Sequence, residues 1–237
     1  MSRISQNLQA VHAAIAQAAQ AASRNPDSVR LLAVSKTFGA ADVLEAARTG
    51  QSAFGENYLQ EALDKLIAVG AVLQQEQLPL PEWHFIGPIQ SNKTRPIAEH
   101  FDWVHTVERE KIASRLSEQR PPLLAPLNIC LQVNISGESS KSGAAPEEVA
   151  ALARAVAAMP RLRLRGLMAI PEPVTDVDAQ RQSFGRLRKL FDELNAQGCA
   201  LDTLSMGMSA DMAAAIAEGA TIVRVGSAIF GQRNYEK

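Results

Sequence analysis

Lys36 follows the uninterrupted apolar run Leu31-Leu32-Ala33-Val34, with only Ser35 between them. Such a run reads as a strand buried on both faces, so a lysine just after it sits at the strand's open end. An amine there either snorkels to water or attacks a carbonyl. Far along the chain, two stretches read as anion sites: Ser205-Met206-Gly207-Met208-Ser209-Ala210-Asp211-Met212 and Arg224-Val225-Gly226-Ser227-Ala228-Ile229-Phe230-Gly231. Each joins glycine, which lets backbone approach a ligand, to serine hydroxyls able to bond phosphate oxygens. Ser209 is also placed to cap the helix that follows, which would explain one loop but not both. A strand-end lysine facing a phosphate cradle fits pyridoxal 5'-phosphate (PLP), whose aldehyde forms a Schiff base with lysine. It fits a Schiff-base aldolase acting on a phosphorylated sugar as well.

These groups need a frame that brings strand ends together. Short apolar runs predict strands at Arg30–Ser35, Ser52–Phe54, Trp83–Ile86, Trp103–Thr106, Asn128–Val133, Leu164–Ala169, Thr203–Met206 and Thr221–Val225. Helical periodicity falls between them, at Ala40–Arg48, Tyr58–Val69, Glu108–Arg120, Pro146–Ala158, Asp178–Ala196 and Met212–Glu218. Eight strands with interleaved helices predict an α/β fold, a closed (β/α)8 TIM barrel, because closure removes both sheet edges. In such barrels the loops after strands seven and eight commonly bind phosphate, which is where the two serine-glycine stretches fall. An extra helix is expected over Ser2–Ser23, with Leu8, Val11 and Ile15 on one face. No linker divides the chain, so residues 1–237 are expected to form one domain.

Composition narrows the functional classes. With 24 Lys+Arg against 25 Asp+Glu, the net charge of -1 supplies no general field for nucleic acid or an anionic membrane. Arg161, Arg163 and Arg165 alternate with Leu162 and Leu164; the pattern reads as a strand with leucines inward and arginines toward helices or solvent, not as a nucleic-acid stripe. Cys130 and Cys199 lack disulfide or CxxC spacing, and His12, His84, His100 and His105 form no ligand cluster, so no metal is expected. The alanine-rich N-terminus lacks the apolar centre of a signal peptide, and no run approaches a membrane span, so the expected location is cytoplasmic.

Seven strings carry a resemblance: AVSK at Ala33–Lys36, FGENYLQE at Phe54–Glu61, WHFIGPIQSNK at Trp83–Lys93, SGESSKSG at Ser136–Gly143, GLMAI at Gly166–Ile170, LSMGMSADM at Leu204–Met212 and VRVGSAIFG at Val223–Gly231. Together they closely resemble the pyridoxal phosphate homeostasis protein family, also called YggS/PROSC, over nearly the whole chain. The resemblance implies a barrel like the N-terminal domain of alanine racemase, with PLP carried on Lys36. It implies that Arg224 sits against the pyridine nitrogen and that Ser209, Gly226 and Ser227 hold the phosphate. Asn57, His84 and Met168 fall at strand ends within matching motifs and are expected to line the cofactor's faces. Many relatives have threonine where this chain has Ser227, and the hydroxyl survives the exchange.

By the same resemblance, racemases need a tyrosine on the face opposite the lysine. Here the only tyrosines are Tyr58 and Tyr235, and the chain ends soon after the eighth strand. The expectation is therefore a protein that binds, buffers and supplies PLP with little or no turnover, and a racemase-like enzyme is the alternative. Transient contact with PLP-dependent apo-enzymes and a monomeric state are expected. Lys141 in the 136–143 loop, and Lys93 with Arg95, read as solvated cations that could also attract an anion. Met206, Met208 and Met212 read as flexible packing.

Overall fold

Alternation settles little in this chain, because most strands are buried along almost their whole length. A barrel wall explains this: one face packs on helices and the other on the barrel's own interior. The computed structural model describes residues 2–137 and 142–232. It contains β1 (Arg30–Val34), β2 (Ala53–Glu56), β3 (Glu82–Phe85), β4 (Trp103–Val107), β5 (Leu127–Gln132), β6 (Leu162–Met168), β7 (Thr203–Ser205) and β8 (Ile222–Val225). All are parallel and pair in chain order, and β8 returns to β1 through Arg30↔Ile222 to Ala33↔Val225, closing the barrel. The predicted strands all exist, with ends displaced by one or two residues.

The helices are α1 (Arg3–Ala21), α2 (Ala40–Arg48), α3 (Leu59–Gln75), α4 (Thr94–His100), α5 (Glu110–Gln119), α6 (Pro146–Ala157), α7 (Val177–Ala196), α8 (Met212–Ala217) and α9 (Ser227–Phe230). In α1, Ser2 Oγ accepts the Ser5 N–H, and Ile4, Leu8, Val11, Ile15 and Ala19 form the buried stripe. That stripe packs against α2, α8 and α9, beside the β1–β8 seam. Neither α4 nor α9 was among the helices expected from the sequence: Pro96 punctuates α4, and the four residues of α9 are too few to display a helical period. No helix among the described residues is long and apolar enough to cross a membrane.

The main apolar cluster joins helix residues such as Val43, Val69, Ile112 and Phe184 to outward-facing strand residues such as Leu31, Phe54 and Leu204. Two smaller clusters lie inside the barrel: Leu32, Ala53 and Ile222, and separately Trp103, Cys130 and Met168. Strand β6 leaves Arg163 exposed, as expected, and corrects the expectation for Arg165. Leu162 and Leu164 belong to the helix-side layer, whereas the Arg165 guanidinium lies 4.6 Å from the Trp103 ring centroid, toward the interior. Arg165 also forms a fork to Asp202 and reaches Asn128 Oδ1. A barrel has two buried faces, so the apolar side of a strand can be its outer one.

Candidate functional site

The end of β1 opens on the barrel mouth, and its exit turn is held from behind. Ser35 Oγ donates to Glu56 Oε1 at 2.6 Å, and Lys65 Nζ donates to the same oxygen at 2.6 Å and to the Ser35 carbonyl at 2.8 Å. On the other side of Lys36, the Thr37 N–H donates to Glu61 Oε1 at 2.6 Å, in a left-handed conformation with φ of 70°. Burial pushes the Glu56 carboxyl above its ordinary range, and Lys65 pulls against that shift. Lys36 itself is half-buried, between these two anchored neighbours.

Across the mouth, β7 and β8 run into the two serine-glycine loops. Ser209 does not cap α8: the residue before that helix is Asp211, whose Oδ1 accepts the Met208 N–H at 2.6 Å. Asp211 therefore ties the loop back on itself and leaves Ser209 exposed on the mouth, with its hydroxyl engaged by nothing among the described residues. Gly207 has φ of 94°, and a Cβ there would meet Ala215 Cβ at 2.5 Å. Gly226 approaches β1 so closely that a Cβ would meet the Val34 carbonyl at 2.9 Å. Beyond Gly226, the Ile229 and Phe230 N–H groups of α9 donate to the Gly226 carbonyl, which leaves those of Ser227 and Ala228 at the open start of the turn.

These elements enclose a cavity of about 290 Å³ at the mouth. Seven of the eight expected residues line it: Lys36, Asn57, Met168, Ser209, Arg224, Gly226 and Ser227. Among the others, Ile86 and Ile170 are apolar walls that sequence reasoning did not single out, and Met208 is one of the methionines read as flexible packing. No Asp, Glu, His, Cys or Tyr lines the cavity among the described residues, and Tyr58 is exposed elsewhere.

His84 is the exception. It stands one pleat below the rim on β3, fully buried, and its Nδ1 lies 2.9 Å from His105 Nε2. Inward-facing residues of one strand alternate, so Ile86 takes the mouth position and His84 the layer beneath. Burial holds His84 down to about 4 and His105 well below the ordinary histidine range. Both rings are neutral near pH 7. Lys93 and Arg95 also lie outside the cavity, at the exposed start of α4, where Arg95 pairs with Glu99 at 3.8 Å. Lys141 and Tyr235 lie outside the described residues. Met206 is core, Met212 is partly buried against it, and Met208 alone of the three reaches the mouth.

Arg224 forms the cavity's cationic floor. Its Nη1 donates to the Ser205 carbonyl at 2.7 Å and to Ser205 Oγ at 2.9 Å, and its Nη2 donates to the Ala169 carbonyl at 3.0 Å. Burial lowers it to about 10, against the attraction of Asp211, so it remains a cation near neutrality. Asn57 lines the cavity, and its Oδ1 is buried with no hydrogen-bond partner, which a site built for a ligand would explain.

Residues 6–234 match the family described as Alanine racemase, N-terminal domain. Over 236 residues the chain is 63% identical to the pyridoxal phosphate homeostasis protein of Pseudomonas aeruginosa, covering 99% of this chain and 98% of that one. The chain belongs to the pyridoxal phosphate homeostasis protein family. Its Escherichia coli K12 member is 51% identical over 237 residues, the full length of both. PipY of Synechococcus elongatus, a structure solved with PLP bound, superposes with a TM-score of 0.80 at 36% identity, over 96% of this chain and all of that one. Alanine racemase of Corynebacterium glutamicum superposes with a TM-score of 0.66 at 19% identity, covering 98% of this chain and 60% of that one, a likeness of fold alone. In this member of the homeostasis-protein family, the strand-end lysine, the orphaned Asn57 oxygen and the two loops share one cavity.

Proposed function

We propose that this protein binds PLP at the barrel mouth and serves to buffer and supply it, with little or no catalytic turnover. The donor set fits the cofactor. An amine, a cationic floor and two serine-glycine loops match an aldehyde, a pyridine ring and a phosphate, in a cavity near the lower end of the roughly 300–1,000 Å³ typical of small-ligand sites. Lys36, as the unprotonated amine, adds to the aldehyde carbon, and the condensation forms one C=N bond and releases one water. Ser209, Ser227 and the N–H groups beginning α9 hold the phosphate. Arg224 faces the ring nitrogen and disfavours its protonation, since two cations in contact repel. Met168 and Asn57 lie against the ring. When bound, PLP supplies an electron sink for amino-acid chemistry.

The observation that carries the non-enzymatic part of this reading is the lining itself. Racemisation needs a proton donor and a proton acceptor on opposite faces of the substrate, and Lys36 is the only group lining this cavity suited to that exchange among the described residues. Hand-over to apo-enzymes requires a mouth from which PLP can leave, which the exposed Ser209 and Ser227 border. We further propose that the protein acts as a monomer in the cytoplasm.

The test is an absorbance spectrum of the purified protein saturated with PLP, beside Lys36→Ala, followed by borohydride reduction and peptide mapping. A visible band in the wild type alone and a label on Lys36 are expected. A label elsewhere overturns the site. Exchange of α-protons with deuterated water across a panel of amino acids separates carrier from racemase, and rapid exchange would return the enzyme reading.

A further inference from the structure

Beneath Arg224 the barrel interior carries a line of polar side chains that do not line the proposed binding site. From Arg224 Nη1 the line passes to Ser205 Oγ at 2.9 Å and then to His105 Nδ1 at 2.8 Å. From His105 Nε2 it passes to His84 Nδ1 at 2.9 Å; His84 Nε2 makes no hydrogen bond, and the nearest carboxylate oxygen to it among the described residues is Glu82 Oε2 at 3.5 Å. Glu82 is in turn held by Arg30 Nη1 at 2.6 Å. The step from His105 on β4 to Ser205 on β7 joins strands that are not neighbours, so it crosses the barrel's centre. His84, His105 and Ser205 have no exposed surface, whereas Glu82 and Arg30 are partly exposed at the far end.

The contacts at the two ends set the direction of the bonds between them. A guanidinium only donates, so Ser205 Oγ accepts from Arg224, and the one acceptor in reach of its own proton among the described residues is His105 Nδ1. His105 then carries its hydrogen on Nε2 and donates to His84 Nδ1, which leaves the His84 hydrogen on Nε2, toward the Glu82 carboxylate. A carboxylate only accepts, and the His84 ring with the Arg30 guanidinium keeps Glu82 ionised, held down to about 2. Reversal would leave the Ser205 hydroxyl proton without an acceptor and turn a His84 Nε2 lone pair toward the Glu82 carboxylate. The consequence is orientation. Two Nη1 hydrogens go to Ser205 and one Nη2 hydrogen to Ala169, which leaves Nε–H and one Nη2–H for the mouth.

We propose that Ser205 and His105 are positioning residues for Arg224, and that the one-directional chain from Arg224 to His84, with the Glu82 carboxylate beyond it, sets the guanidinium's orientation at the cavity floor. The proposal rests on the reading of the mouth as a PLP site, but half of its test does not. In wild-type protein labelled with 15N-histidine, without PLP, His84 and His105 are expected neutral and protonated on Nε2 throughout about pH 6 to 8. A hydrogen on Nδ1 of either ring, or a charged ring at the lower pH, overturns the chain.

The second half measures PLP binding by titration of the visible band. Ser205→Ala is expected to weaken binding roughly tenfold, the scale of one hydrogen bond to a charged group, and to move the pH midpoint of the band. Ser205→Thr keeps the hydroxyl and is expected to restore both. Trp103→Phe, an interior change beside His84 but off the chain, is expected to alter neither. Unchanged binding in Ser205→Ala, or an equal shift in Trp103→Phe, overturns the positioning role. If Ser205→Ala does not fold, the same pair of readouts is taken on His105→Gln. Loss of the band in Lys36→Ala alongside unaltered Ser205→Ala refutes this proposal and leaves the PLP reading standing; persistence of the band in Lys36→Ala does the reverse, with the tautomers still deciding the chain.

Discussion

Lys65 Nζ lies 2.6 Å from Glu56 Oε1, a buried ion pair that reaches the residues on both sides of Lys36. Glu56 and the Lys65 amine hold Ser35, and Glu61, which Lys65 also engages at 2.7 Å, holds the Thr37 N–H. The pair anchors the turn that presents the amine to the mouth.

Removing the cation strands a buried carboxylate. Lys65→Met is expected to lower stability by about 3–5 kcal/mol, the usual cost of breaking a buried pair from one side. Urea unfolding of the apo-protein measures it, and a loss under about 1 kcal/mol would show that water reaches Glu56.

Acid should weaken the fold well above the ordinary carboxylate range. In the folded protein His84 titrates at about 4 and His105 well below its usual value, both through burial, whereas in the unfolded chain each returns to 6.5. As pH falls below 6.5, the unfolded state takes up protons that the native state refuses, so stability declines, at up to about 1.4 kcal/mol per pH unit for each ring. Glu82, held down to about 2 by the His84 ring and Arg30, adds a further loss as pH falls from 4.5 toward that value. Urea midpoints that stay level from pH 7 to pH 5 would contradict the neutral, buried assignment of both histidines.

Phosphate retention is expected to divide between two hydroxyls. Ser209→Ala and Ser227→Ala should each weaken PLP binding roughly tenfold, because each removes one hydrogen bond to a charged group. Borohydride labelling of Lys36 at saturating PLP should persist in both. Fluorescence titration measures the affinities, and a variant that binds as wild type removes its serine from the cradle.

Gly207 sits in a left-handed turn directly over α8. Gly207→Ala adds a methyl group 2.5 Å from Ala215 Cβ and forces a side chain into φ of 94°. A destabilisation of about 1–3 kcal/mol is expected. The Gly207 carbonyl accepts the Arg224 N–H at 2.9 Å, so the shift should also reach the cavity floor and reduce PLP binding. Thermal unfolding and titration on the same sample check both parts.

Much of this was legible before any coordinates. The run from Leu31 to Val34 announced a doubly buried strand and put Lys36 at its end, and the serine-glycine stretches fell after the seventh and eighth strands, where barrel phosphate sites gather. Such signals are local, written in a few consecutive residues. Ser209 misled for the same reason: a serine ahead of a helix has the pattern of a cap, but Asp211 lies nearer the first turn and closes the loop instead.

The sequence by itself therefore determined the class of fold and put Lys36 and the two serine-glycine loops at one end of the barrel, because apolar runs and turn chemistry act over short stretches. Asn57, Met168 and Arg224 were implied by the family resemblance. Tertiary structure alone decided which side of each strand faces inward, since both sides are buried and alternation cannot label them. That choice turned Leu162 toward the helices and Arg165 toward Trp103. It also dropped His84 beneath the mouth and brought His105 within 2.8 Å of Ser205, a hundred residues away. Such a contact depends on closing the whole circle of strands, and no short window of residues contains it.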